Sequence, residues 1–168
     1  MISYRMATEA DAPALADMFA RSFTETFGHL YRPEDLAAFL SQFEEAGWRE
    51  ELADPDLTIR LAEEDGELAA FAKVGTVTLP VEPDVPATEL RQLYILRPWQ
   101  GRGVAHALLD WALDEARANG ARRIYLSVYI DNIRARRLYE RYGFTFVAPY
   151  EFRVGDHSDE DLIMSLDL

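Results

Sequence analysis

The chain has 168 residues, 49% hydrophobic and 12% aromatic, enough for the core of one domain spanning residues 1–168 and unlike the composition of a disordered or fibrous chain. Thirty acidic against 17 basic residues leave a formal charge of -13, which disfavours nucleic acid and anionic membrane surfaces as partners. The lack of cysteine excludes disulfides, thiolate metal sites and a cysteine-borne acyl group, and no apolar run reaches the ~20 residues of a membrane span or resembles a secretion signal, so a cytoplasmic protein is expected.

Taken in chain order, Thr8-Glu9-Ala10-Asp11 has the form of a capping box, and Leu15, Met18, Phe19, Ser22 and Phe23 follow at helical spacing. A second helix starts near Pro33, with Leu36, Phe39, Leu40 and Phe43 on one face, and Gly47 and Trp48 open a third. Thr58–Ala62 and Leu68–Val77 read as antiparallel strands joined through Glu64-Asp65-Gly66, a good hairpin signal. Pro80, Pro83 and Pro86 break the following stretch into an exposed loop before a strand from Glu89 to Leu96. Gln100-Gly101-Arg102-Gly103 then turns into a long helix striped by Val104, Ala107, Leu108, Trp111 and Ala112, which ends at Asn119-Gly120. Ile124–Tyr129 is a strand, Asp131 or Asn132 begins a helix through Tyr142, and Gly143 closes it. A strand begins at Phe144–Phe146, and Asp161–Leu166 supplies the last. The centre is therefore β-α-β-α between hairpins, an α/β domain with a mixed sheet.

Charge is divided along this chain. From Arg91 to Arg141 there are ten arginines and five acids, a segment of +5, while the remainder carries -18. Such a split reads either as solvated faces or as an anion site beside a cation site.

A two-glycine turn between strand and helix presents free backbone N–H groups at the positive end of a helix dipole, where phosphate binds well. The dinucleotide fingerprint fails here, because its third small position is His106 and no acid lies near residue 121 to hold a ribose. A P-loop fails as well, since Lys73 is the only lysine. What Gln100-Gly101-Arg102-Gly103-Val104-Ala105 resembles is the acetyl-CoA signature of the Gcn5-related N-acetyltransferase (GNAT) superfamily, Gln/Arg-x-x-Gly-x-Gly/Ala. Downstream, Asn132, Ala135, Leu138-Tyr139-Glu140 and Gly143-Phe144 resemble the second signature of that family, and Leu93-Tyr94-Ile95 looks like its pantetheine strand. Less specifically, Phe23–Phe27, Phe152–Asp156 and Asp161–Met164 resemble the bacterial spermidine/spermine N-acetyltransferase branch.

The resemblance implies a single-domain GNAT fold, with a mixed central sheet, a splayed strand pair and flanking helices. It implies acetyl-CoA as co-substrate with no metal, and direct attack by a primary amine, a small molecule such as spermidine; the chain would be a monomer or homodimer. The cofactor-binding set is Leu93, Tyr94, Ile95, Gln100, Gly101, Arg102, Gly103, Val104, Ala105, Asn132 and Ala135, with Arg97 and Arg102 as sources of added charge. Asn132 and Tyr139, seven apart, share a helix face, and by resemblance Tyr139 gives its phenolic proton to the departing thiolate. Glu89 is the expected base, with Glu25 as competitor and substrate-side residue, although Glu89 also reads as an exposed strand-end acid. Asp156, Asp159, Glu160 and Asp161 either attract a polyamine or form a solvated loop, the commoner arrangement. His29, His106 and His157 are too scattered for a metal site or a triad and are read as structural or surface residues. The competing functional class is a non-catalytic acyl-CoA-binding module that keeps the fold alone.

Overall fold

In the computed structural model, which describes residues 1–168, seven strands form one sheet in the order β1-β2-β3-β4-β5-β7-β6. Their ranges are β1 Ser3–Met6, β2 Leu57–Glu64, β3 Glu67–Gly75, β4 Ala87–Ile95, β5 Arg123–Tyr129, β6 Thr145–Val154 and β7 His157–Asp167. The helices are α1 Ala12–Phe27, α2 Pro33–Leu40, α3 Glu45–Ala53, α4 Val104–Ala118 and α5 Ile133–Tyr142. Only β4 and β5 pair in parallel, and α4 is the crossover between them.

Local chemistry explains most boundaries. The Asp11 carboxylate accepts the Thr8 N–H at 2.7 Å ahead of α1, and Pro13 sits in the first helical turn, where no N–H is required. Asp65 and Gly66, with φ of 53° and 81°, make the tight turn between β2 and β3. Gly103 (φ 84°) precedes α4 and Gly143 (φ 98°) closes α5, both left-handed positions suited to glycine.

The structure differs from the sequence reading at two ends. Ser3–Met6 forms an edge strand on β2, too short for an alternating pattern to announce it. The last strand starts at His157, four residues before the expected Asp161, so Asp159, Glu160 and Asp161 lie on β7 rather than in a solvated loop. Asp159 and Asp161 are buried on its inner face, while Glu160 between them is exposed.

A main core runs through the molecule, with a small separate cluster of Leu79, Tyr125 and Ile163. Phe19 of α1 meets Phe71 and Tyr94 of the sheet at centroid distances of 6.4 and 5.1 Å, and Trp48 of α3 meets Phe71 edge-on at 5.3 Å. Beneath Trp48 lies Lys73, buried, 2.6 Å from Glu51 and 5.2 Å from the indole centroid. Burial lowers the Lys73 ammonium from its usual range, while Glu51 opposes that shift.

Two features of the sheet position the site. Lys73 faces Gln92 and Val74 faces Leu90, so Arg91 is an extra residue on β4, a bulge. Pairing of β4 with β5 covers only Ala87–Glu89 against Arg123–Tyr125, and beyond the bulge the strands part. At the far edge, the β6–β7 turn docks on α2, where the buried Asp35 carboxylate accepts the Asp156 N–H at 3.1 Å and Arg32 Nε at 2.8 Å.

Gly155 in that turn has φ 58°, and a Cβ there would lie 2.8 Å from Asp35 Cα. Gly66 has a comparable φ but open space around it. Gly66→Ala is expected to cost about 1 kcal/mol of backbone strain, and Gly155→Ala about 1–3 kcal/mol more through the clash. Urea midpoints at constant slope measure the difference.

Candidate functional site

Where β4 and β5 part, two cavities open and meet. The larger, about 600 Å³, is lined by β4, the glycine turn, the C-terminal part of α1 and one face of α5. The smaller, about 170 Å³, reaches between β4, β5 and β7 under the aromatic side chains of α1 and α2. Both are lined by Phe27, Leu93, Tyr94, Asn132, Ala135 and Tyr139, which therefore mark the junction.

The larger cavity favours anions. Gly101 (φ 76°) and Gly103 (φ 84°) turn the backbone toward it just before the first turn of α4, and nothing lies within 4 Å of where a Cβ on Gly103 would stand. Arg97, Arg134 and Arg141 line it, together with His29 and His106. Arg134 Nη1 donates to Gln100 Oε1 at 3.0 Å, and Gln100 Nε2 donates to the Ile95 carbonyl at 3.0 Å, so the turn is tied to both β4 and α5. Arg97 Nη2 donates to the Glu25 carbonyl at 2.8 Å and fixes the opposite rim.

The side chains of two residues expected at this cavity are not brought to it. Arg102 points away and grips Glu64 with two bonds of 2.8 Å, while Trp99 Nε1 donates to the same carboxylate at 2.8 Å. The Arg102 guanidinium, followed by the indole, pulls the Glu64 carboxyl down to about 2. Arg102 thus anchors the turn to β2 instead of supplying charge, and the Val104 side chain is buried in the core. The other nine residues expected to hold cofactor all line the cavity, as does Glu25.

At the junction, Asn132 caps α5 by accepting the Ala135 N–H on Oδ1 at 3.3 Å. Two turns on, Tyr139 is buried and lines both cavities, its hydroxyl free of any protein partner, and burial pushes its phenol well above the usual tyrosine range. Its side chain therefore stands where the two cavities meet.

The smaller cavity favours cations. Phe23, Phe39 and Phe152 lie along it, with Asp159 and Asp161 from one face of β7. Asp159 is held: the Tyr31 hydroxyl donates to Oδ2, and His157 Nε2 lies 3.0 Å from Oδ1. Asp161, only 6% exposed, makes no side-chain hydrogen bond or ion pair, and its carboxyl is pushed up to about 7, first by burial and then by the charge of Asp159. Gln92 is also on the lining, and its Oε1 is buried without a partner.

Glu89, the expected base, is not brought to either cavity. Its carboxylate accepts the Thr78 N–H at 2.8 Å, the Thr78 hydroxyl at 3.1 Å and the Leu79 N–H at 3.1 Å, which fastens the proline-rich loop after β3 to the start of β4. The buried pair at positions 159 and 161 carried a usable signal, acids at strand spacing, but it required knowing that β7 had already begun.

A family model described as "Acetyltransferase (GNAT) family" matches residues 13–144. An uncharacterized N-acetyltransferase of Mycobacterium tuberculosis is 33% identical over 159 residues, covering 94% of this chain and 98% of that one. A probable spermine N(1)-acetyltransferase of Bacillus subtilis subsp. natto is 32% identical over 90 residues, but covers only 52% of this chain and 59% of its own. Among solved structures, the PaiA N-acetyltransferase of Thermoplasma acidophilum in complex with coenzyme A has a TM-score of 0.80 at 18% identity, over 100% of this chain and 99% of that one. The expected α/β fold is shared with it.

The carboxyl shift generates a direct test. Carbon-detected NMR should find the Asp161 carboxyl titrating at about 7. Asp159→Asn should lower that midpoint by removing the like charge, yet leave it above the ordinary value of about 3.9, because burial is the larger cause. A midpoint near 4 in the unaltered protein contradicts the assignment.

Proposed function

Because the chain belongs to the acetyltransferase (GNAT) family, we propose that it transfers an acetyl group from acetyl-CoA to the primary amine of a small cationic molecule, by direct attack of the amine on the thioester. The observation that carries this reading is the junction at Tyr139, which separates an arginine-lined cavity opened by a glycine turn from an aromatic one bearing two buried carboxylates.

The fit to acetyl-CoA rests on chemistry in the larger cavity. Free N–H groups at Gly101 to Ala105 and the start of α4 suit the pyrophosphate, with Arg97, Arg134 and Arg141 adding positive charge. Beyond the bulge, the edge of β4 from Gln92 to Ile95 has no strand partner in β5, so its backbone groups can pair with the amides of the pantetheine arm. The acetyl group then reaches the junction. The amine nitrogen forms its bond to the carbonyl carbon, the carbon–sulfur bond breaks, and Tyr139 protonates the leaving thiolate.

Asp159 and Asp161 support a cationic acceptor, and aromatic faces around them favour an ammonium with an alkyl chain. A polyamine such as spermidine is the first compound to test. The partial resemblance to a spermine acetyltransferase agrees with that choice but spans about half of the chain.

A panel of polyamines, neutral amines and amino acids, read by mass spectrometry and by release of CoA thiol, tests the reading. Amine-dependent turnover preferring cations is expected; saturable acetyl-CoA binding with no turnover on any amine would instead identify a binding module. Tyr139→Phe keeps the packing and should lower kcat about 100-fold or more, with little change in KM for acetyl-CoA. Gly103→Val, a branched side chain at φ 84°, should weaken acetyl-CoA binding by calorimetry in a domain that still folds.

A further inference from the structure

Attack on a thioester requires a neutral amine, yet an alkylammonium has a pKa of roughly 10.4. Some group at the junction must therefore remove a proton. Neither carboxylate expected to do so is suited to it: Glu89 is enclosed by three donors away from both cavities, and Glu25 lies on the anion-favouring side.

Resting on the acyl-transfer reading above, we propose that Asp161 is the catalytic base, taking a proton from the acceptor's ammonium in the smaller cavity while Asp159 stays ionised beside it as the fixed anion that draws the cation in. The two carboxylates differ in what surrounds them. Asp159 has both oxygens engaged, by Tyr31 and His157, whereas Asp161 is buried with both oxygens unused. An ammonium in this cavity brings three donors to a carboxylate that has none. Burial also brings donor and base together in strength, since it weakens the charged form of each: it lowers an alkylammonium and has raised the Asp161 carboxyl.

The groups facing Asp161 leave it this role. Tyr129 stands opposite on β5 and Tyr150 opposite on β6. Tyr94 of β4, Tyr139 of α5 and Tyr31 before α2 line the same cavity, and the phenols of Tyr31, Tyr94 and Tyr129 are all raised in part by the Asp161 charge. Arg91 is the cation on the lining, and its guanidinium is bound to the Thr76 carbonyl at 2.8 and 3.1 Å and to the Thr76 hydroxyl at 2.8 Å. No ion pair therefore competes with the substrate for Asp161.

The protons balance. R–NH3+ gives one proton to Asp161, and the nitrogen lone pair forms the C–N bond. As the C–S bond breaks, sulfur takes the Tyr139 proton, and the second nitrogen proton restores the phenol. Asp161 then releases its proton to water, so the net products are amide, CoA thiol and one proton.

The test is Asp161→Asn assayed with an amine that the unaltered enzyme acetylates, at saturating acetyl-CoA. At pH 7 the variant should lose about 100-fold or more in kcat/KM for the amine. Its rate should then climb about tenfold per pH unit toward the amine's own pKa, where the unaltered enzyme levels off, because solution now supplies the free amine. An acceptor amine with a pKa near 7 should narrow the deficit, and Asp161→Glu should restore part of the rate. Calorimetric affinity for acetyl-CoA and the melting temperature should hold, since removing an unpaired buried charge does not weaken the fold. A variant that keeps the parent rate and pH profile overturns the assignment of Asp161. If the unaltered enzyme binds acetyl-CoA yet acetylates no amine, the acyl-transfer reading fails and the base falls with it.

Discussion

The bulge at Arg91 is the constraint on which the site depends. A parallel strand pair can run on only while both strands keep register, and one extra residue in β4 bends it away after Glu89. The bend is fixed from behind, since the Arg91 guanidinium spans the Thr76 carbonyl and hydroxyl, and Glu89 holds the loop that follows. Past that point β4 shows an unpaired backbone edge inside the molecule. Such an edge is costly when dry, so it favours a ligand that carries its own amides.

Around this opening, charge is sorted by element. On the larger cavity the cations come from the turn after β4 and from α5, through Arg97, Arg134 and Arg141, and on the smaller one the acids come from β7. The split of +5 and -18 along the chain anticipates that division only in part. Several arginines of the basic segment serve the scaffold: Arg102 is bound to Glu64, and Arg123 to Asp84 and Asp167 at 2.8 and 2.7 Å. Total charge thus overstates the cations available to a ligand, and only pairing decides which remain.

Legibility in the sequence followed how local each signal was. Helix starts at Thr8-Asp11, Pro33 and Asn132, the Asp65-Gly66 hairpin and the glycine turn are each set by a few neighbouring residues, and the structure has them all. Most of the cleft lining around Gln100 and Asn132 was readable through the family resemblance that those short motifs carry. What escaped depended on distant partners. The Arg91 bulge exists only in the register with β3, Arg102 turns away because Glu64 lies 38 residues earlier, and Glu89 is a loop anchor because of Thr78 and Leu79. For Asp159 and Asp161 the choice between a solvated loop and a cation site stayed open, because nothing nearby in sequence shows that the antiparallel pairing with β6 places them on a strand.

The burial of Lys73 has a consequence for the chemical inertness of the protein. It is the only lysine of 168 residues, and its nitrogen is shut beneath Trp48 against Glu51 with 3% of the residue exposed. The other 16 basic side chains are arginines, whose guanidinium groups stay protonated and are poor nucleophiles. The folded surface therefore offers no lysine amine to a reactive thioester. A protein of this kind can sit among acyl donors without its side chains being modified by them, and amine-directed reagents such as active esters will leave its folded side chains unlabelled until the α3 covering is opened.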